Sequence, residues 1–295
     1  MKRMLTLALL LLTFCAGNAA AQRTINERHA MVPDGFVRIF LLAGSVNVIG
    51  WDKDSLAVTG TVWEPPGDRF GVGITPRGAK MGLWSDVAEN VKPSNITVYL
   101  PRRSQVWVKT TDADTRVSAV AGGIDLFSVS GSMYITGAPS EVYAETMGGE
   151  ITLSGNTQSA RIKTAAGALH VSGSIADLTA VTVSGPVDVV KTSFARARIE
   201  SVDGDIRFTG PLPARSMLEV TNHAGAIDLY LPAKSSASFA ISLYEGKVVD
   251  EFGNVGKYAA GQPFKARELK FALGSAPSAQ VTIRSFKGRV ALRKR

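Results

Sequence analysis

The sequence predicts an all-β chain folded as a single-stranded β-solenoid, in which coils of 18–21 residues stack on one another. Three observations predict it. A glycine recurs at a fixed interval, since Gly131, Gly149, Gly167 and Gly185 stand 18 residues apart. Such self-similarity is the signature of repeat architectures. Apolar side chains keep constant offsets from each glycine. Two and four residues after it come Met133 and Ile135, Ile151 and Leu153, Leu169 and Val171, Val187 and Val189; seven and five before it come Ile124 and Leu126, Val142 and Ala144, Ala160 and Ile162, Leu178 and Ala180. This is the period-two alternation of strands with one buried face. Finally, no long stretch after residue 21 spaces apolar residues by three and four, as a helix would.

Taken in order, residues 1–21 read as an export signal. Lys2 and Arg3 precede the apolar run 5–14, and Ala19, Ala20 and Ala21 offer small residues for cleavage before Gln22. The run is too short for a stable membrane anchor. The one cysteine, Cys15, lies inside this segment; the alternative is a lipoprotein in which Cys15 becomes the lipidated first residue, with Phe14 where such sites favour a small side chain. Cleavage after Ala21 leaves no cysteine, and so no disulfide, no thiolate nucleophile and no cysteine-based metal site. It also removes two positive charges and no negative one, so the formal net charge falls from +8 to +6. A basic surface favours anionic glycans, anionic lipid or nucleic acid. Here the basic residues are scattered, the only dense run being Arg289, Arg293, Lys294 and Arg295, and no nucleic-acid-binding motif is present. No later segment holds 18 uninterrupted apolar residues, which argues against a transmembrane helix in the mature chain.

Residues 22–34 are polar and aperiodic and read as a flexible lead-in to one solenoid domain over 35–295. The first coil follows at once, with Gly44 at its corner, Val37 and Ile39 before it and Val46 and Val48 after it. Residues 51–105 break the rhythm. Leu56 to Val58 and Ile96 to Leu100 look like strands, while 64–68 and 71–82 look like turns and a long loop. This irregular part holds Trp51, Trp63 and Trp84 and reads as an elaborated end that caps the first coil. Regular coils fill 106–295. Their corners fall at Ala113, Gly131, Gly149, Gly167, Gly185, Gly204, Gly225, Gly246 and Gly288, and 267–271 weakly fills the double interval before the last. Glycine suits such corners through positive φ or through close backbone approach. Coils stacked about 4.8 Å apart place each residue over its counterpart in the next coil. The predicted inner columns are Met133, Ile151, Leu169, Val187, Ile206, Ile227 and, beside them, Ile135, Leu153, Val171, Val189, Phe208, Leu229.

The opening string GSVNVIGWDKDSLAVTGTV, the later Gly-x-apolar-x-apolar-x-Gly repeats and the closing SFKGRVALR resemble the bacterial putative-adhesin β-solenoid family, a domain of unknown function. The resemblance covers roughly residues 35–295. It implies an exported or envelope-associated solenoid with an adhesive or binding role and no assigned catalytic residue.

The place to look for chemistry is the outward column three residues after each corner: Tyr134, Thr152, His170, Asp188, Arg207, Asp228. His170 beside Asp188 offers an acid–base pair and Arg207 beside Asp228 an ion pair. A two-carboxylate glycosidase needs a second carboxylate close by, and this column has none on the coil next to either aspartate. The more economical reading is a solvated polar ladder. The three histidines, His29, His170 and His223, share no register, and the zinc and calcium motifs are absent, so no metal or cofactor is expected. Trp63, Trp84 and Trp107 can stack on sugars, but aromatic packing in core or cap is the first role of tryptophan. The chain therefore reads as an exported, non-enzymatic binding or scaffold protein of the bacterial envelope, periplasmic or extracellular. Its expected partners are polysaccharide or another envelope protein. The alternatives are a polysaccharide-active β-helix enzyme and an envelope-stress sensor component.

Overall fold

Val, Ile, Thr and Ser fill the positions between the corner glycines, and these branched side chains favour extended backbone. In the computed structural model, which describes residues 21–65, 67–75, 77–83, 91–254 and 267–295, the outcome is all-β. The apolar run 5–14 of the expected export signal, Cys15 and Trp84 lie outside the described residues. The first strands are β1 (Ala21–Ala30), β2 (Phe36–Trp51), β3 (Ser55–Glu64), β4 (Gly71–Thr75), β5 (Gly78–Gly82) and β6 (Ser94–Pro101). The middle of the chain forms β7 (Gln105–Ser118), β8 (Ile124–Ser128), β9 (Met133–Gly137), β10 (Glu141–Thr146), β11 (Ile151–Thr164), β12 (Leu169–Val181), β13 (Val187–Ser193), β14 (Arg196–Ser201) and β15 (Ile206–Thr209). The last part forms β16 (Met217–Asn222), β17 (Ile227–Leu231), β18 (Ala237–Leu243), β19 (Lys247–Asp250), β20 (Arg267–Leu273), β21 (Ala279–Ser285) and β22 (Arg289–Lys294).

The strands stack into two parallel ladders joined at the corners. The incoming ladder runs β5, first half of β2, first half of β7, β8, β10, second halves of β11 and β12, β14, β16, β21, β18. The outgoing ladder runs β6, second half of β2, second half of β7, β9, first halves of β11 and β12, β13, β15, β17, β22, β19. The result is β-solenoid-like. Met133, Ile151, Leu169, Val187, Ile206 and Ile227 are consecutive register partners, and so are Ile135, Leu153, Val171, Val189, Phe208 and Leu229. All twelve are buried, in one apolar cluster that runs from Ile25 to Leu292. Each contributes roughly 1.5–3 kcal/mol of transfer free energy against its exposed state.

The reason for glycine at the central corners is close approach. A Cβ on Gly149, Gly167 or Gly185 would sit 1.7–2.1 Å from the carbonyl oxygen of the preceding corner, and none of the three has a positive φ. Of the corner glycines, only Gly44, Gly246 and Gly288, toward the ends, take a positive φ. A second device was not read from the sequence. Three residues before every corner from Ala113 to Gly225, and before Gly288, stands Ser, Thr or Asn, buried or half-buried, whereas Gly44 and Gly246 have Leu41 and Leu243 there. Thr146, Thr164 and Thr182 accept the N–H of Gly149, Gly167 and Gly185 at 3.0–3.2 Å, and Asn222 serves Gly225. Thr164 also donates to the carbonyl of Gly149, which leaves the buried turn satisfied along the stack.

Three expectations change. Residues 22–34 do not form a flexible lead-in throughout, because β1 pairs antiparallel with β3. The stretch 71–82 is a hairpin of β4 and β5. The last coils do not stack in chain order: β21 and β22 insert between β16–β17 and β18–β19, and β20 lies antiparallel on the outer edge of β18. The start of the fold is built alike. There β2 sits between β5–β6 and β7, with β4 antiparallel on β5 and β3 antiparallel on β6. A parallel stack exposes a row of unpaired backbone groups at each end, and these antiparallel strands cover β5, β6 and β18; among the described residues β19 pairs with β22 alone.

Candidate functional site

Tyr134, Thr152, His170, Asp188, Arg207 and Asp228 are successive register partners on the outer face of the outgoing ladder. Asp188 is held from both sides, by His170 Nδ1 at 3.6 Å and Arg207 Nη1 at 3.5 Å. The expected Arg207–Asp228 pair does not form. The inserted β22 brings Arg289 to within 2.6 Å of Asp228 and Arg293 to within 3.6 Å, and Arg293 also reaches Glu251 at 3.1 Å. Higher in the column, Arg116 lies over the Tyr134 ring at 4.8 Å, and Thr152 donates to Glu150 at 2.8 Å. Each aspartate has a cation or histidine as its nearest charged neighbour and no carboxylate across the rung. Such a column orients exposed polar groups in a line and contributes little to stability.

The incoming ladder carries a feature the sequence reading missed. On its outer face, four consecutive rungs from β2 to β10 each hold an aromatic ring. Phe40 meets Trp107 at 4.9 Å between centroids, Trp107 meets Phe127 at 5.8 Å, and Phe127 meets Tyr143 at 5.4 Å. All four rings are half-buried, and Lys163 lies 5.9 Å over the last. Carboxylates interleave with the rings. Asp125 is the register partner of both Trp107 and Tyr143. Burial pushes its carboxyl above the ordinary range, and the charge of Glu141 adds to the push. The Tyr143 hydroxyl donates to Glu145, which raises the phenol, with burial adding. Among the described residues no hydrogen-bond donor reaches Asp125. The signal was present in the repeat: outward positions six and four residues before successive corners hold Trp107, Asp125 with Phe127, and Tyr143 with Glu145. By contrast Trp63 is a buried filler at 4% exposure, as expected of it.

The corners themselves form a third feature. The residue two before each corner points outward, so Val129, Met147, Val183 and Val202 line one edge, each exposed. The line ends in three parallel rings. Phe286 stacks on His223 at 4.7 Å and 4°, and on Tyr244 at 4.7 Å and 6°. These rings flank an open groove of about 720 Å³ that Arg284 and Glu268 also line. Arg284 is held by Glu219 at 2.6 Å.

The repeat rhythm, the two parallel ladders and the antiparallel caps define the fold to which other proteins can be compared. The profile of the Toastrack DUF4097 family matches residues 74–292, most of the 295 in the chain. The chain belongs to the Toastrack DUF4097 family. This Toastrack chain is also similar to solved structures at low identity. A putative adhesin from Bacteroides fragilis NCTC 9343 is 10% identical, with 92% of this chain and 97% of that one covered and a TM-score of 0.49. A putative adhesin from Parabacteroides distasonis ATCC 8503 is 11% identical, with 93% and 98% covered and a TM-score of 0.41. A putative lipid binding protein from the same organism is 10% identical, with the same coverage and TM-score. No curated protein matches the chain.

Proposed function

We propose that this Toastrack chain is an exported, non-enzymatic binding protein of the bacterial cell envelope that holds an extended partner along its outer faces. The observation that carries the reading is the pair of outer faces. Each presents side chains in register, rung after rung, to a partner that is itself long or repetitive, while the inner columns carry the fold. The export reading rests on residues 1–21 and agrees with the absence of any cysteine beyond Cys15. The polar column from Tyr134 to Asp228 and the aromatic row from Phe40 to Tyr143 are the two surfaces offered for binding. The test is retention of the mature chain on isolated envelope material at low salt. Retention is expected; material that retains none of the protein refutes the reading.

A second reading, cleavage of a glycan, has one observation in its favour. Asp125, with its carboxyl pushed up, lies within electrostatic reach of Glu141 beside an aromatic row, and unequal carboxyl pairs perform acid–base chemistry in glycosidases. It predicts release of reducing ends from an envelope glycan, abolished in Asp125→Ala. The binding reading predicts no release by either protein.

A further inference from the structure

We propose that the outer face of the incoming ladder, from β2 to β10, is a carbohydrate platform for an extended β-linked glycan of neutral or N-acetylated pyranoses lying along the stacking axis. The inference rests on the binding reading above and names its ligand class. Four features of the face carry it.

The rings follow the axis. Phe40, Trp107, Phe127 and Tyr143 stand on successive rungs, so a polymer lying across the strands meets a ring at every rung. The rung spacing of about 4.8 Å is close to the advance of a β-linked pyranose chain per sugar. Ring faces accept the C–H faces of pyranoses, and a row of rings already fixed by its neighbours loses little side-chain entropy on binding.

The polar groups beside the rings offer both donors and acceptors, since Lys109 is the register partner of Phe40 and Phe127 and Arg161 that of Tyr143. Asp125, Glu141 and Glu145 occupy two adjacent rungs. Ionised carboxylates are acceptor-only, which suits the hydroxyl and acetamido donors of a sugar edge. Gly123 leaves the room that Glu141 uses, since a Cβ there would come within 3.3 Å of Glu141 Oε1. Asp125 stands between two aromatic neighbours, half-buried and with no protein donor reaching it among the described residues, so its oxygens are open to a ligand hydroxyl.

The charge is balanced. From β7 to β11 the carboxylates Asp125, Glu141 and Glu145 share the face with Lys109, Arg161 and Lys163, so a uronate or phosphate polymer meets no net field of either sign to draw it there, although the chain as a whole is basic at +8. Finally, the backbone is closed to peptides. Strand β8 is paired on one side with β7 and on the other with β10, so no free edge lies under the rings for a peptide to join as an added strand.

The experiment titrates the mature chain with chitohexaose and cellohexaose, with oligogalacturonate and a lysine-rich peptide as competing probes. Three proteins are compared: the native sequence, Trp107→Ala and Asp125→Asn. The native chain is expected to bind at least one neutral oligosaccharide in preference to both competitors. Trp107→Ala is expected to weaken that binding about tenfold or more, the loss of one stacked ring. Asp125→Asn is expected to weaken it while melting no lower than the native chain, which separates a binding defect from a folding defect. The proposal is overturned by preference for oligogalacturonate or the peptide, or by unchanged affinity in both variants. It is also overturned, with the wider binding reading intact, if neither neutral oligosaccharide binds while envelope material still retains the protein. Loss of both kinds of binding would remove the wider reading as well.

Discussion

Gly167 shows what one corner of this fold demands. A methyl group there would lie 1.8 Å from the carbonyl oxygen of Gly149, far inside contact distance. Gly148, in the preceding corner, has nothing nearer than 3.8 Å. Gly167→Ala is therefore expected to destabilise the protein by roughly 1–3 kcal/mol or more through overpacking, and Gly148→Ala by about 0.5 kcal/mol or less. Thermal melts of the two variants decide it, and equal melting temperatures would remove the close-approach account. Asp125 gives a prediction in pH. Its folded carboxyl titrates above its unfolded value, because burial and then Glu141 disfavour the charge. Below the unfolded value both states are protonated and the site costs nothing. Once pH rises through the folded value, the penalty of the partly buried charge, reduced by solvent screening, is present. Asp125→Asn is thus expected to melt higher than the native chain at neutral pH. The difference should shrink as pH falls below the carboxylate range. A native chain more stable than the variant at neutral pH would contradict this sign. Stability gained and binding lost in one substitution is the trade expected where function holds a group in an unfavourable place.

At the scale of elements, the repeat made strands and registers legible but not the order of the last coils. Apolar offsets around Gly225, Gly246 and Gly288 specify which residues face inward, and those coils obey them except at Asp250, four residues after Gly246. They carry no information on which coil lies next to which, because every coil presents similar columns to its neighbours. Strand β1 was hidden for a different reason. Only Ile25 of its described side chains is buried, so the alternation that announces a strand is absent and its pairing with β3 is carried by the backbone. The aromatic row was hidden because its members become neighbours only once the register is known, and Trp107 alone looks like a core filler. Coil order can be tested with cysteines, since the sequence has a single native one, Cys15, which can be replaced by serine. Glu219 and Thr282 are register partners, and so are Thr282 and Ala240. Glu219 and Ala240 are thus two rungs apart, about 9.6 Å by strand spacing, beyond the reach of a disulfide. The pair Glu219→Cys and Thr282→Cys is expected to cross-link on oxidation, and the pair Glu219→Cys and Ala240→Cys is not. The opposite result would restore stacking in chain order.

For the whole molecule, the division of labour is between inner columns that bury one continuous apolar cluster and outer faces that carry the polar column and the aromatic row. Antiparallel strands lie on β5 and β6 at one end and on β18 at the other, where they pair edges of the two ladders. The most direct test of that division is retention on isolated envelope material of three proteins matched for melting temperature. These are the native mature chain, a Trp107→Ala, Phe127→Ala double variant of the aromatic row, and Val183→Ser at the corner edge. The account predicts that the native chain and Val183→Ser are retained alike and that the double variant is washed through. Equal retention of all three, or retention of none, would contradict it.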